Sequence, residues 1–255
     1  MSALPKIPHS RDNAVRFFVT YVSQHQQQLA GKIVVDLSAG SGFIAEQFVK
    51  AGAHVRLFDL FPEQNTFCIK PCERVDLTKP WPLETASTHL LILAETIEHL
   101  PDTHFFFQEA ARVLKQGGTL LLTTPNSASL RSRFSQFLME SEHYSHPAPN
   151  ELDAFTRWGQ GGYFSKLFIN GLLRLRTLAA LHQLKIKTIH PSPISSTSVW
   201  LMIFYPLIYM FSRRNYRRQK RDDPAHESVY REIFLVNTSP SNLLGKHLII
   251  EFTKG

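Results

Sequence analysis

Along the first half of the chain, short apolar runs of strand length alternate with stretches of helical spacing. Lys32 to Leu37 is a short apolar run that ends in Asp36 and a glycine-rich turn. Phe43 to Lys50 then has helical spacing, and Gly52 just beyond it predicts a C-cap. Val55 to Phe58 predicts a second strand, closed by another acid, Asp59. A third strand is expected around Arg74 to Leu77, followed by the loop Thr78 to Pro82, and His89 to Ala94 has the unbroken apolar run of a buried strand. Asp102 is placed to N-cap a helix reaching Lys115, with Gly117 and Gly118 closing it. Thr119 to Thr124 predicts the fifth strand, ended by Pro125. Such alternation predicts a parallel sheet with helices on both faces.

The second half is less regular. Ser127 to Met139 and Phe164 to His182 predict helices, and Lys185 to His190 and His247 to Thr253 predict strands. Between those strands lies a long excursion holding prolines, an uncharged run of thirteen residues from Val199 to Phe211, and a basic cluster. No internal repeat or low-complexity tract is present.

Composition narrows this picture. With 255 residues, 43% hydrophobic and 19% charged, the chain has the make-up of a packed globular protein, one large domain or one domain with an insertion. Nothing near the start reads as a signal peptide, because the stretch Ala14 to Val22 is short and broken by Arg16. Cys68 and Cys72, the two cysteines, provide no disulfide framework, so the reducing cytoplasm is the expected compartment. As metal ligands they would supply two of the four that zinc requires, and no metal is expected.

The formal charge of +7 suggests nucleic acid until it is localised. Arg213, Arg214, Arg217, Arg218, Lys220 and Arg221 are six cations with no acid between them, and without them the charge is +1. The basicity therefore belongs to one segment, and with no base-reading motif in the chain nucleic acid is not the expected partner.

The most chemically informative stretch is Val34-Val35-Asp36-Leu37-Ser38-Ala39-Gly40-Ser41-Gly42. A glycine-rich turn between strand and helix lets a ligand approach the backbone, since no Cβ intervenes. The helix that follows directs its free N–H groups at that ligand, which suits an amino-acid carboxylate as well as a phosphate. Taken alone, the turn is ambiguous. Gly40, Gly42 and Ala45 also satisfy the dinucleotide fingerprint, and Asp59, 17 residues beyond Gly42, stands where an acid accepts from ribose hydroxyls. NAD and S-adenosylmethionine both carry that ribose, and a tight turn without a ligand is the third reading.

The downstream pieces separate these readings. After Asp36 to Gly42 and Asp59 come Val75-Asp76-Leu77, Ala94-Glu95-Thr96-Ile97-Glu98-His99-Leu100, Arg112 to Gly118, and Thr124-Pro125-Asn126. In this order and spacing the chain resembles the class I S-adenosylmethionine-dependent methyltransferases over roughly residues 30 to 130, most of all the group that includes the ubiquinone-pathway O-methyltransferases. The resemblance implies a Rossmann-like, doubly wound, mostly parallel sheet of seven strands, with the last two forming an antiparallel edge. Residues 1–190 would be the cofactor-binding core, 191–246 an insertion, and 247–255 the last strand. The active site would lie at the carboxyl ends of the strands, near the topological switch point.

Roles carry over residue by residue. Asp36 would orient the glycine turn and the methionine amino group, and the backbone of Ser38, Ala39, Gly40 and Gly42 would lie along the cofactor. Asp59 would bind the ribose with Leu60 beside the adenine; Asp76 would meet the adenine amine with Leu77 packed on the ring. Ala94 and Glu95 would line the methionine and the transferring methyl. Ser38 departs from the family, which commonly has glycine there; serine is small enough to fit.

Catalysis would be mainly positioning, with a base useful for a hydroxyl acceptor. His99 is the candidate base, against a structural role for Glu98 and His99 in bracing the loop after the fourth strand. His143 and His146 form an H-x-x-H pair in a Pro-rich loop, for metal or for the border of the acceptor pocket; Phe105, Phe106 and Phe107 read as core. The expected activity is O-methylation of a small, glycan or lipid-linked hydroxyl acceptor. The alternatives are a catalytically silent S-adenosylmethionine-binding protein and a nicotinamide-dependent oxidoreductase. The segment 199–221, whose uncharged run 199–211 is too short and Pro-broken to span a bilayer, is the candidate for peripheral contact with the inner face of a membrane, against a core or dimer-contact helix.

Overall fold

In a computed structural model of the chain, residues 12–142, 149 and 166–255 are described. Seven strands form one sheet: β1 (Ile33–Asp36), β2 (His54–Asp59), β3 (Cys72–Arg74), β4 (Thr88–Ala94), β5 (Leu114–Pro125), β6 (Leu184–Ile189) and β7 (His247–Lys254). Across the sheet the order is β3-β2-β1-β4-β5-β7-β6. Parallel pairs join β1 to β2 and β4, β2 to β3, and β4 to β5, whereas β6 and β7 run antiparallel. This is the doubly wound, mostly parallel sheet that the alternation of patterns predicts, with the antiparallel pair formed by the last two strands. The strand order reverses between β1 and β4, and a crevice outside their carboxyl ends is where such sheets bind ligands.

The central strands are apolar throughout because both faces are covered. Val34, Val35, Leu91, Ile92 and Leu93 are wholly buried. Helices α1 (Asp12–Leu29) and α2 (Phe43–Lys50) place Phe18, Ala45 and Phe48 in a cluster with Val34, Leu57 and Ile92. In α3 (Thr103–Val113), Phe106 and Phe107 are core residues that meet Trp81 and Phe252.

The described residues group into two compact units. One runs to Thr124 and adds Leu178–Ile189 and Ile249–Gly255; the other comprises Pro125–Thr177 and His190–Leu248. In addition to α4 (Leu130–Met139) and α5 (Leu172–Leu181), the later chain forms α6 (Ser196–Trp200), a 3₁₀ turn (Leu201–Phe204), α7 (Tyr205–Asp222), α8 (Glu227–Thr238) and α9 (Pro240–Leu244). Within the second unit α4 packs on α6, on the 3₁₀ turn and on α9. Among the described residues, those of 125–177 thus group with 190–248, a different division from 1–190, 191–246 and 247–255. Among the described residues no helix is long and apolar enough to cross a membrane.

Several elements depart from the sequence pattern. β3 ends at Arg74: the Val75 N–H makes the last ladder bond, to the Asp59 carbonyl, and Asp76 then accepts from the Thr78 N–H, starting a turn. α3 stops at Val113, and Gly117 and Gly118 lie inside β5 rather than capping a helix. Gly117 has φ +72°, and the register jumps there from Thr88 opposite Leu114 to Leu90 opposite Thr119, a β-bulge that glycine permits. Between β2 and β3 the crossover carries only a 3₁₀ turn, Pro62–Gln64. The helices predicted from Ser127 and Phe164 begin later, at Leu130 under the Ser129 cap and at Leu172; residues 164 and 165 lie outside the described residues.

Candidate functional site

The glycine turn is built from hydrogen bonds that run in three directions. Leu37 N–H donates to the Ile92 carbonyl, Ala39 N–H to the Phe58 carbonyl, and Gly42 N–H back to the Ala39 carbonyl. The turn is thereby tied to β4, to β2 and to itself. Gly40 and Gly42 have φ of +50° and +80°, a region that side chains disfavour. Asp59 completes the frame: one oxygen accepts from Gly40 N–H at 2.7 Å, the other from Phe61 N–H at 2.8 Å. Each carboxylate oxygen retains lone-pair capacity for a ligand hydroxyl.

Ser38 does more than fit. Its hydroxyl accepts from the Ala94 N–H at 3.1 Å and lies 3.4 Å from the Ala94 carbonyl oxygen, so it links the turn to the end of β4. A glycine here would lack that link.

Gly42 has a cause that the sequence does not show. A Cβ built on it would stand 2.0 Å from Asn65 Oδ1 and 2.9 Å from Cys68 Cβ. The short β2–β3 crossover lies against the turn: Thr66 and Phe67 N–H both donate to the Ser41 carbonyl, and the Phe67 ring meets Phe43 edge-on. Asn65 holds this loop in shape by donating to the Cys68 and Lys70 carbonyls. Packing of the chain on itself therefore demands glycine at position 42, whatever a cofactor requires. No motif announces Asn65, since its effect depends on a crossover too short for a helix.

Electrostatically, acids accumulate at the site. Asp36 is 1% exposed; Oδ1 accepts from Ser38 N–H, and Oδ2 is buried without a hydrogen-bond donor. Burial, against the Ser38 hydrogen bond and with Asp59 nearby, pushes the Asp36 carboxyl up to about 7. Burial, then the charges of Asp59 and Asp36, push the Cys72 thiol up to about 12, and Cys68 is raised chiefly by burial too. A positively charged ligand would relieve this accumulation. Among the described residues no three or more His, Cys, Asp or Glu side chains are grouped to hold a metal ion.

The remaining sequence-derived positions divide. Asp76 opposes its partial burial with the hydroxyl and N–H of Thr78 and with Lys79 at 3.1 Å, and is held below the usual carboxylate range. Leu60 is half-buried, and its carbonyl accepts from Arg74. Leu77 is buried, with its carbonyl facing Trp81 Nε1. At the end of β4, Ala94 is half-buried, and Glu95 has φ +49°, a strained backbone for a non-glycine residue. Thr123 holds Glu95 there, taking its N–H on both the carbonyl and the hydroxyl. His99 is half-buried in a 3₁₀ turn, Ile97–His99, and the neighbouring Glu98 is fully buried and accepts from Thr124 at 3.0 Å. Direct hydrogen bonds join Asp36, Ser38 and Ala94 in one set and Gly40 and Asp59 in another. No such link joins Asp76, Leu77 or His99 to them among the interactions described. His143 and His146 lie outside the described residues.

Residues 35–122 match a family model described as a methyltransferase domain. The ubiquinone biosynthesis O-methyltransferase of Xanthomonas oryzae pv. oryzae is 33% identical over 131 residues, 48% of this chain and 54% of that protein. The enzyme of the same name from Pectobacterium atrosepticum is 29% identical over 128 residues, 47% of this chain and 52% of that protein. The alignments thus span about half the length of the curated relatives. In fold, the chain is similar to S-adenosylmethionine-dependent methyltransferases from Mesorhizobium loti (TM-score 0.54, 14% identity, 91% and 97% of the two chains) and Archaeoglobus fulgidus (0.54, 12%, 96% and 97%).

Proposed function

We propose, from a chain whose residues 35–122 form an S-adenosylmethionine-dependent methyltransferase domain, that the whole protein methylates a hydroxyl on a small, glycan or lipid-linked acceptor. The observation that carries the cofactor half is the orphaned, buried Oδ2 of Asp36 beneath the glycine turn. A buried carboxylate oxygen with no donor, at the switch point of the sheet, fits a cationic ligand with an ammonium group. It does not fit a pyrophosphate, whose charge would add to that of Asp36 and Asp59. The oxygen half of the proposal leans on the O-methyltransferase names of relatives matched over about half their length.

In this reading Asp36 attracts the methionine ammonium, and Asp59, already fixed by Gly40 and Phe61, takes the ribose hydroxyls on its remaining lone pairs. Asp76, kept ionised by Thr78 and Lys79, accepts from the adenine amine. Ala94 and Glu95 border the reacting end, and His99 removes the acceptor proton as the hydroxyl attacks. S-adenosylmethionine, when bound, supplies a methyl activated by its sulfonium leaving group. The protein's task is then alignment more than bond-making.

Calorimetric titration with S-adenosylmethionine and with NADH tests the first half. Saturable binding of the former alone is expected; binding of NADH alone would overturn the reading. S-adenosylhomocysteine release across membrane and soluble fractions of a cell extract tests the second half. Turnover that requires a hydroxyl-bearing compound is expected, and binding with no release from any fraction would leave a silent cofactor-binding protein.

A further inference from the structure

The second compact unit presents a surface that methyl transfer does not use. In α7 the positions Tyr205, Ile208, Ser212, Tyr216 and Gln219 recur at helical spacing, and all are half-buried. Tyr216 and Tyr209 meet Phe234 of α8, and Ser212 accepts from Asn237. That face of the helix is partnered.

The outward face is not. Its amino-terminal half, the turn before it and the last residue of α6 expose Trp200, Ile203, Phe204, Leu207, Met210 and Phe211, with Trp200 at 83% and Ile203 at 78%. Phe137, equally exposed, stands on α4, which packs against α6 and the 3₁₀ turn. Further along the same outward stripe, Arg214, Arg217, Arg218 and Arg221 follow Leu207 and Met210 at three- and four-residue steps. Among the described residues no acid pairs with Arg213, Arg214 or Arg217; Arg218 and Arg221 share Asp222, and Lys220 reaches Glu227. Tyr209, Met210 and the arginines line one groove in which apolar and cationic groups adjoin.

Pro206 sits at the start of α7, where the missing N–H costs no helical hydrogen bond, so it does not kink the helix. Nor is the run a core helix: no residue of α7 is buried. An exposed aromatic and aliphatic patch running into unpaired arginines is complementary to one kind of partner, an anionic bilayer surface. There, apolar side chains enter the headgroup–acyl boundary while guanidinium groups meet lipid phosphates. A nucleic acid would match the arginines but would leave the apolar patch in water, and an apolar protein groove would leave the arginines unmatched.

We infer that residues 199–221 dock this protein reversibly on anionic membrane surfaces, through the apolar patch around Trp200 and Ile203 and the arginines of α7. The test is co-sedimentation of the full chain with phosphatidylcholine vesicles, with and without phosphatidylglycerol, at low and high salt. Pelleting with the anionic vesicles at low salt is expected, with little on phosphatidylcholine alone and release at high salt. Each arginine near such a surface is worth about fivefold in partition (about 1 kcal/mol), so R213E/R214E/R217E should weaken binding on the order of a hundredfold. W200S/I203S should weaken it at least tenfold at low salt. All five side chains are exposed, and circular dichroism checks that the variants stay folded. Failure to pellet on anionic vesicles, equal pelleting on phosphatidylcholine, or undiminished binding by either variant overturns the assignment. So does a wild-type dimer in sedimentation velocity that W200S/I203S dissociates, which would give the face to a second copy of the chain. Neither cofactor nor acceptor enters the test, so its failure leaves the methyl-transfer reading standing.

Discussion

At the scale of single residues, Asp36 combines a structural cost with a binding use. Its folded-state carboxyl titrates near 7, above the ordinary carboxylate value of 3.8, so between those values the folded chain holds a proton that the unfolded chain has lost. Stability of the free protein should therefore fall as pH rises from about 4 to about 7, and D36N should flatten that slope in thermal melts. A cationic ligand prefers the ionised form, so S-adenosylmethionine affinity should rise as pH passes through 7 in the wild type and lose that dependence in D36N. Calorimetry over that range measures it. Asp59 holds the Gly40 and Phe61 N–H groups as well as its proposed ribose contact. D59A should weaken cofactor binding by roughly ten- to a hundredfold, since hydrogen bonds to charged groups contribute about 1.5–3 kcal/mol and 1.4 kcal/mol is a factor of ten. His99 acts only on the acceptor side of the reading. As a base, its replacement by Ala should cut kcat by about 10²–10⁴ and leave cofactor affinity unchanged; a loss under about fivefold would make it a brace for its loop.

At the scale of elements, the turn from β1 into α2 depends on its neighbours as much as on its own residues. Gly42 is enclosed by Asn65 and Cys68 from the β2–β3 crossover and has φ +80°. G42A should therefore destabilise the fold by about 2–5 kcal/mol, by backbone strain and overpacking together, even with no cofactor present. G117A, also at positive φ but with open space around it, should cost only about 1–2 kcal/mol, the strain alone. Denaturant unfolding of both variants separates the two contributions, and a smaller cost for G42A than for G117A would contradict the packing account. In the same way α7 owes its place to one face only: its tyrosines dock on α8, and its arginines extend away from the unit.

For the whole molecule, a ligand that binds only the folded state stabilises it by mass action, by about 2.7 kcal/mol at a hundredfold excess over Kd. Saturating S-adenosylmethionine should accordingly raise the melting temperature by several degrees, while NADH at equal concentration leaves it unchanged; calorimetric melts decide between them. The amino-acid sequence by itself determined the sheet, because apolar strand runs alternating with helical spacing have few ways to bury themselves, and it marked Asp36, Gly40 and Asp59 because acids at strand ends beside a glycine turn are local signals. It also located the basic segment and the uncharged run before it. Only the tertiary structure decided what surrounds those residues. The Ser38 bridge to Ala94, the loss of any donor for Asp36 Oδ2, the grip of Thr123 on Glu95 and the filling of space beside Gly42 by Asn65 all join residues distant in sequence. The grouping of 125–177 with 190–248 and the exposure of the 199–211 run have the same origin. Periodicity tells which side of an element is apolar, whereas whether a neighbour covers that side is settled by long-range packing, which leaves no local trace in the chain.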